Sequence, residues 1–131
     1  MNLNYVRLLT DCFDEMVTFY RDKLGFEVRF VDDANKYAEF STEGATLAIF
    51  DREKMEQALG LKDESKCHEC SDPIAVIFRT DDVDSLANRF KENGIVLLSD
   101  PTDRPDWSVR TFHLRDPSGN LLEFNQPIKN H

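Results

Sequence analysis

Two stretches of this 131-residue chain repeat one another, and that repeat limits the fold more than any single motif does. Leu9-Thr10-Asp11, followed by an apolar helical run that stops at Gly25, aligns with Arg79-Thr80-Asp81, followed by a run that stops at Gly94. Phe13, Met16, Val17, Tyr20 and Leu24 share one helical face in the first run, as Val83, Leu86, Ala87 and Phe90 do in the second. Both helices have an acidic start and a glycine stop. Runs of β character surround each helix. Tyr5 to Leu9 precedes the first, and Glu27 to Val31, Tyr37 to Phe40 and Ala45 to Phe50 follow it. Ile74 to Arg79 precedes the second, and Ile95 to Leu98, Thr111 to Leu114 and Leu121 to Phe124 follow it. The predicted fold class is α+β, with a βαβββ module over 1–50 and another over 73–127. The linker, 51–72, is expected to carry a short helix from Glu53 to Leu61 with Met55 and Leu59 on one side. A chain of this length can bury a core as one domain.

The end of the second repeat reads as a hairpin. Asp116-Pro117-Ser118-Gly119 combines a carboxylate that bonds its own backbone, a proline that fixes φ and a glycine that tolerates positive φ. Glu123 then stands among apolar neighbours, where burying an unpaired carboxylate is costly, so it must face a cavity, a partner or water. The strings D-P-S-G-N-x-x-E (116–123) and W-x-x-R-x-F-x-L-R-D-P-x-G-N (107–120) resemble the second module of the vicinal oxygen chelate superfamily of glyoxalases, extradiol dioxygenases and bleomycin-resistance proteins. The wording is most similar to the bleomycin-resistance branch, whose members bind a drug and catalyse nothing. The resemblance implies curved, cup-shaped sheets, a ligand held between modules, and a homodimer.

In the metal-dependent branches each module offers one ligand from its first strand and one from its last. Carried through the repeat, those positions read Tyr5, Ala48, Ala75 and Glu123. Alanine has no lone pair to give, tyrosine is an uncommon ligand here, and one carboxylate cannot hold a hard divalent ion against water. A slip of one residue offers Asn4 or Val6, Leu47 or Ile49, and Ile74 or Val76, which repairs nothing. No metal and no cofactor are therefore expected. The family's metal-assisted reactions are disfavoured with them. No His, Cys or Lys can be placed beside Glu123 from sequence, which weakens a metal-free acid-base reading.

His113 lies one residue off the side shared by Phe112 and Leu114 and is read as structural, while His131 ends the chain. Cys67-His68-Glu69-Cys70 looks like half a zinc site or a redox pair, but its second ligand pair is missing, and a polar loop with two thiols is the preferred reading. Three cysteines and no signal peptide suggest a reducing, cytoplasmic setting. Net charge is −9 with no basic stripe, which disfavours nucleic acid, and no apolar stretch is long enough to span a membrane. An acidic chain attracts cationic small molecules, although acidity also serves solubility.

Strand parity sketches a pocket. With Glu123 facing the cup, Leu121 shares its side and Leu122 and Phe124 turn to the helix. Phe112 and Leu114 are expected to face inward opposite them, with Ala48, Phe50, Tyr5 and Arg7 doing so from other strands. Trp107 stands where the resembling branch places an aromatic near its ligand. Tyr5, Phe50, Trp107 and Phe112 can stack on a planar group while Glu123 meets a positive one. Arg7 can instead neutralise Glu123 or bind an anion, and Phe112 fits the core equally well. Two functions stay open: a metal-independent protein that sequesters an aromatic compound, with a cationic group as an option, and a superfamily enzyme with a rearranged metal site or metal-free acid-base chemistry.

Overall fold

The computed structural model describes residues 3–59 and 74–128, apart from the side chains of Leu59 and Trp107. The chain forms two compact units, Met1–Glu69 and Cys70–His131. The first contains β1 (Tyr5–Thr10), α1 (Phe13–Thr18) running on into a π-helical turn (Phe19–Lys23), β2 (Val28–Asp32), β3 (Tyr37–Phe40) and β4 (Thr46–Asp51), followed by α2 (Arg52–Leu59). The second contains β5 (Ala75–Arg79), α3 (Val83–Glu92), β6 (Ser99–Arg104), a 3-10 turn (Pro105–Trp107), β7 (Val109–Arg115) and β8 (Leu121–Pro127). The sheets run β1-β4-β3-β2 and β5-β8-β7-β6, with β1 parallel to β4 and β5 parallel to β8. The repeat holds residue by residue: Tyr5 pairs with Thr46 and Arg7 with Ala48, as Ala75 pairs with Leu121 and Ile77 with Glu123.

Each helix is bounded by the chemistry its sequence suggests. Asp82 caps α3 by accepting the Ser85 amide at 3.1 Å, and Gln126 Oε1 accepts the Val83 amide at 2.6 Å, so two of the helix's orphan donors are satisfied. Asp14 and Glu15 occupy the first turn of α1. Gly25 and Gly94 end the helical segments at φ of +84° and +85°, a conformation that costs other residues strain.

The helix covers one face of each sheet, and the core lies there. In the first unit Tyr20, fully buried, has its ring 5.9 Å from Phe40, beside Leu8, Ala38, Leu47 and Ile49. In the second, Phe124 stacks on Phe78 and Phe112, each at 5.1 Å, and meets Phe90 of α3 edge-on at 5.2 Å. Arg110 straps this face: it grips Asp84 of α3 with two bonds of 2.8 and 2.9 Å and Asp103 of β6 with a third at 3.1 Å. On the opposite face of the first sheet, Arg29 donates to Glu39 Oε1 at 2.6 Å and to Thr46 at 3.0 Å, while Tyr37 donates its hydroxyl to Glu39 Oε2.

One strand differs from expectation. The apolar run Ile95 to Leu98 is not a strand, and β6 is instead the polar segment Ser99–Arg104. Ile95 is spent closing α3, its amide bonding the Phe90 carbonyl at 3.0 Å and its side chain buried, whereas Val96 and Leu98 are exposed. As the sheet's edge, β6 tolerates Pro101, which has no amide to donate, and needs no apolar alternation. The helix of the linker is found as Arg52–Leu59, one residue earlier at its start. Among the described residues, no helix is long and apolar enough to cross a membrane.

Removing the ring at the centre of the four-ring cluster, Phe124→Ala, is expected to cost about 3–5 kcal/mol in urea denaturation. Val96→Ala, at an exposed position, should stay within about 0.5 kcal/mol. The Tyr37 hydroxyl, then Arg29, hold the Glu39 carboxyl below its ordinary value of 4.5, so its ionisation favours the folded state above that pH and the contribution fades below it. Glu39→Gln should therefore narrow the difference between urea midpoints measured at about pH 6 and about pH 3.5.

Candidate functional site

In each sheet the face opposite the helix carries the polar and aromatic side chains on which function can rest. On the first sheet, cross-strand pairing puts Tyr5, Arg7, Ala48, Phe50, Tyr37 and Glu39 on that face, since Arg7 and Glu39 both pair with Ala48 and Tyr37 pairs with Phe50. The Arg7 guanidinium lies over two rings, 5.7 Å from the centre of Tyr37 and 5.6 Å from that of Phe50. These rings meet edge to face at 5.7 Å. Arg7 Nη1 also reaches Met55 Sδ of α2 at 3.8 Å. Burial, then the bond to Glu39, push the Tyr37 phenol up, so it remains a neutral donor.

On the second sheet the corresponding face carries a hydrogen-bonded chain. Glu123 Oε1 lies 2.9 Å from His113 Nε2, and His113 Nδ1 lies 2.9 Å from Ser99 Oγ. Glu123 Oε2 accepts from Asn125 Nδ2 at 3.1 Å, and Asn125 Oδ1 in turn accepts from Arg79 Nε at 3.1 Å. A carboxylate only accepts, so Nε2 of the imidazole is the donor to Glu123 Oε1, and Nδ1 faces the Ser99 hydroxyl on the other side of the ring. The half-buried carboxylate is thus satisfied at both oxygens by side chains of its own sheet.

The pairing across the hairpin differs from the expected one. Phe112 and Leu114 do not share the face of Glu123: they pair with Phe124 and Leu122, are fully buried, and belong to the helix-packed core. His113, read as turned away, is the residue directly opposite Glu123, and Ser99 is opposite His113. The cause is the connection. Arg115 pairs with Leu121, which leaves five residues, Asp116 to Asn120, in the loop, and an odd loop brings odd-numbered residues opposite odd-numbered ones. Asp116 holds that loop. Its Oδ1 accepts the amides of Ser118 and Asn120 at 3.0 and 2.9 Å, and its carbonyl accepts that of Gly119 at 2.9 Å.

Of the nine residues named from the sequence, Tyr5, Arg7, Ala48 and Phe50 come together on the open face of the first sheet, and Leu121 and Glu123 on that of the second. Trp107 ends the 3-10 turn before β7, and its side chain is outside the description. The Cys67-His68-Glu69-Cys70 motif and His131 also lie outside the described residues. Arg29, Tyr37, Glu39, Ser99 and His113 were missed. Strict alternation in Tyr37-Ala38-Glu39-Phe40 carried the signal for Tyr37 and Glu39, and the odd loop length carried it for His113.

The four positions implied for a metal do not suit one. Tyr5 and Ala48 in the first unit, and Ala75 and Glu123 in the second, occupy equivalent places on β1 and β4 and on β5 and β8. Two methyl groups donate nothing, and a phenol with one already bonded carboxylate falls short of the four or more donors that a divalent ion takes. Among the described residues, no group of three or more His, Cys, Asp or Glu side chains is placed to hold a metal ion.

Comparison with known proteins agrees with this architecture. The chain is 32% identical over 123 residues to the uncharacterized protein YraH of Bacillus subtilis (strain 168), covering 94% of this chain and 96% of that one. Its fold is similar to that of a glyoxalase/bleomycin resistance protein/dioxygenase from Nocardioides, with a TM-score of 0.81 and 22% identity over 100% of this chain and 86% of the other. A lactoylglutathione lyase from Agrobacterium tumefaciens gives a TM-score of 0.72 at 22% identity, over 94% and 91% of the two chains. TioX from Micromonospora sp. ML1 gives 0.71 at 22% identity, over 98% and 100%. Residues 2–124 match the Glyoxalase/Bleomycin resistance protein/Dioxygenase superfamily, and the chain belongs to that superfamily.

Proposed function

We propose that this member of the superfamily is a metal-independent binding protein that sequesters a small aromatic compound on the open faces of its sheets. The observation that carries the reading is the donor set. Tyr5, Ala48 and Ala75 stand where strand register puts the equivalents of Glu123 and its partner position, and Glu123 itself is bonded to His113 and Asn125. The exposed or half-buried rings of Tyr5, Tyr37 and Phe50 support an aromatic ligand. A cationic group is less well provided for, because Glu123 and Glu39 each have both oxygens engaged within their own sheets. Exposure of Ile74, Ile77 and Leu98 supports a homodimer as the working form.

Native mass spectrometry of untagged protein, combined with elemental analysis for zinc, nickel, iron and manganese, tests both points at once. A metal-free dimer is the expected result. A stoichiometric divalent ion that is lost in Glu123→Ala would overturn metal independence.

The Ser99-His113-Glu123 chain favours a second reading, metal-free acid-base catalysis, because Glu123 orients an imidazole that can exchange a proton. Incubation of a bound aromatic ligand with the protein in D2O separates the two. A binder returns the ligand unchanged. An enzyme of this kind exchanges an acidic C–H proton, and His113→Gln abolishes the exchange.

A further inference from the structure

We infer that Arg7, held on the rings of Tyr37 and Phe50, is an anion receptor that selects a planar aromatic monocarboxylate; the inference rests on the proposed binding function and names its ligand class. The guanidinium is exposed, yet its place is set by two rings at 5.6 and 5.7 Å instead of by a carboxylate. Among the described residues, no ion pair includes Arg7. The acid on the same face, Glu39, does not compete for it: Arg29 takes Oε1 and the Tyr37 hydroxyl takes Oε2.

The hydroxyl bond also fixes the ring beneath Arg7, so the cation is oriented before any ligand arrives. Its hydrogen bond to Met55 Sδ, at 3.8 Å, goes to a weak acceptor that a carboxylate can displace. A carboxylate meets a guanidinium fork through two parallel, charge-assisted bonds. An attached ring would lie along the aromatic surface continued by Tyr5, 42% exposed, and Phe30, 51% exposed and 6.2 Å from Tyr37. One carboxylate fits better than two, because Glu39 shares Ala48 as its cross-strand neighbour with Arg7 and would repel a second anionic group.

Calorimetric titration of the full chain with naphthoate, naphthylmethanol and naphthylmethylammonium holds the ring constant and changes only the charge. Naphthoate should bind tightest of the three, and Arg7→Gln should weaken it by about tenfold or more while changing naphthylmethanol by less than about threefold. Retained naphthylmethanol binding shows that the variant is folded. Phe30→Leu, which trims the surface on which the ligand ring would lie, should weaken all three probes alike. If naphthoate binds no tighter than the alcohol, or Arg7→Gln leaves it unchanged, the anion receptor is wrong while aromatic binding stands. If no probe binds, the binding function fails with it.

Discussion

A β-strand sends successive side chains to opposite faces, and in each unit a single helix packs against one face of a four-stranded sheet. Everything else in the molecule follows from that division. The covered faces take the large apolar side chains, with Tyr20 and Phe40 in one unit and Phe78, Phe90, Phe112 and Phe124 in the other. The opposite faces are left for groups that must meet one another or a ligand. Polar side chains there cannot be left bare where they are half-buried, and in both sheets they are joined into networks: Arg29, Glu39 and Tyr37 in the first, Ser99, His113, Glu123 and Asn125 in the second.

The two networks occupy the same register with different chemistry. Glu39 pairs with Ala48 as His113 pairs with Glu123. In the first unit the acid is on β3 and its partner on β4 is a methyl group, so the charge is met by Arg29 from the next strand. In the second, the acid is on β8 and an imidazole on β7 meets it directly. The two repeats thus differ on their open faces while sharing their helix stops and their parallel strand pair. The consequence is a first face that carries a cation on rings and a second that carries a proton-bearing chain.

Much of the fold was legible in the sequence because its signals are local. Helical periodicity, glycine stops and the Asp116 turn depend on neighbours within a few residues, and the tandem βαβββ order follows from them. What stayed hidden depended on pairing between strands. Ile95 to Leu98 has strand composition, but the end of α3 claims Ile95, and the edge position lets a polar segment pair instead. The faces of Phe112, His113 and Leu114 turned on the parity of a five-residue loop, and one step of register exchanges core for surface along the entire strand. Arg29 could not be placed from sequence because it sits at a register shift between Val28 and Phe30, where simple alternation fails.

The proposed function requires ligand binding that owes nothing to a metal. The most direct test is calorimetric titration of naphthoate into the protein before and after exhaustive dialysis against EDTA. The account predicts the same affinity in both preparations. Binding that disappears with the chelator and returns with zinc or manganese would contradict it.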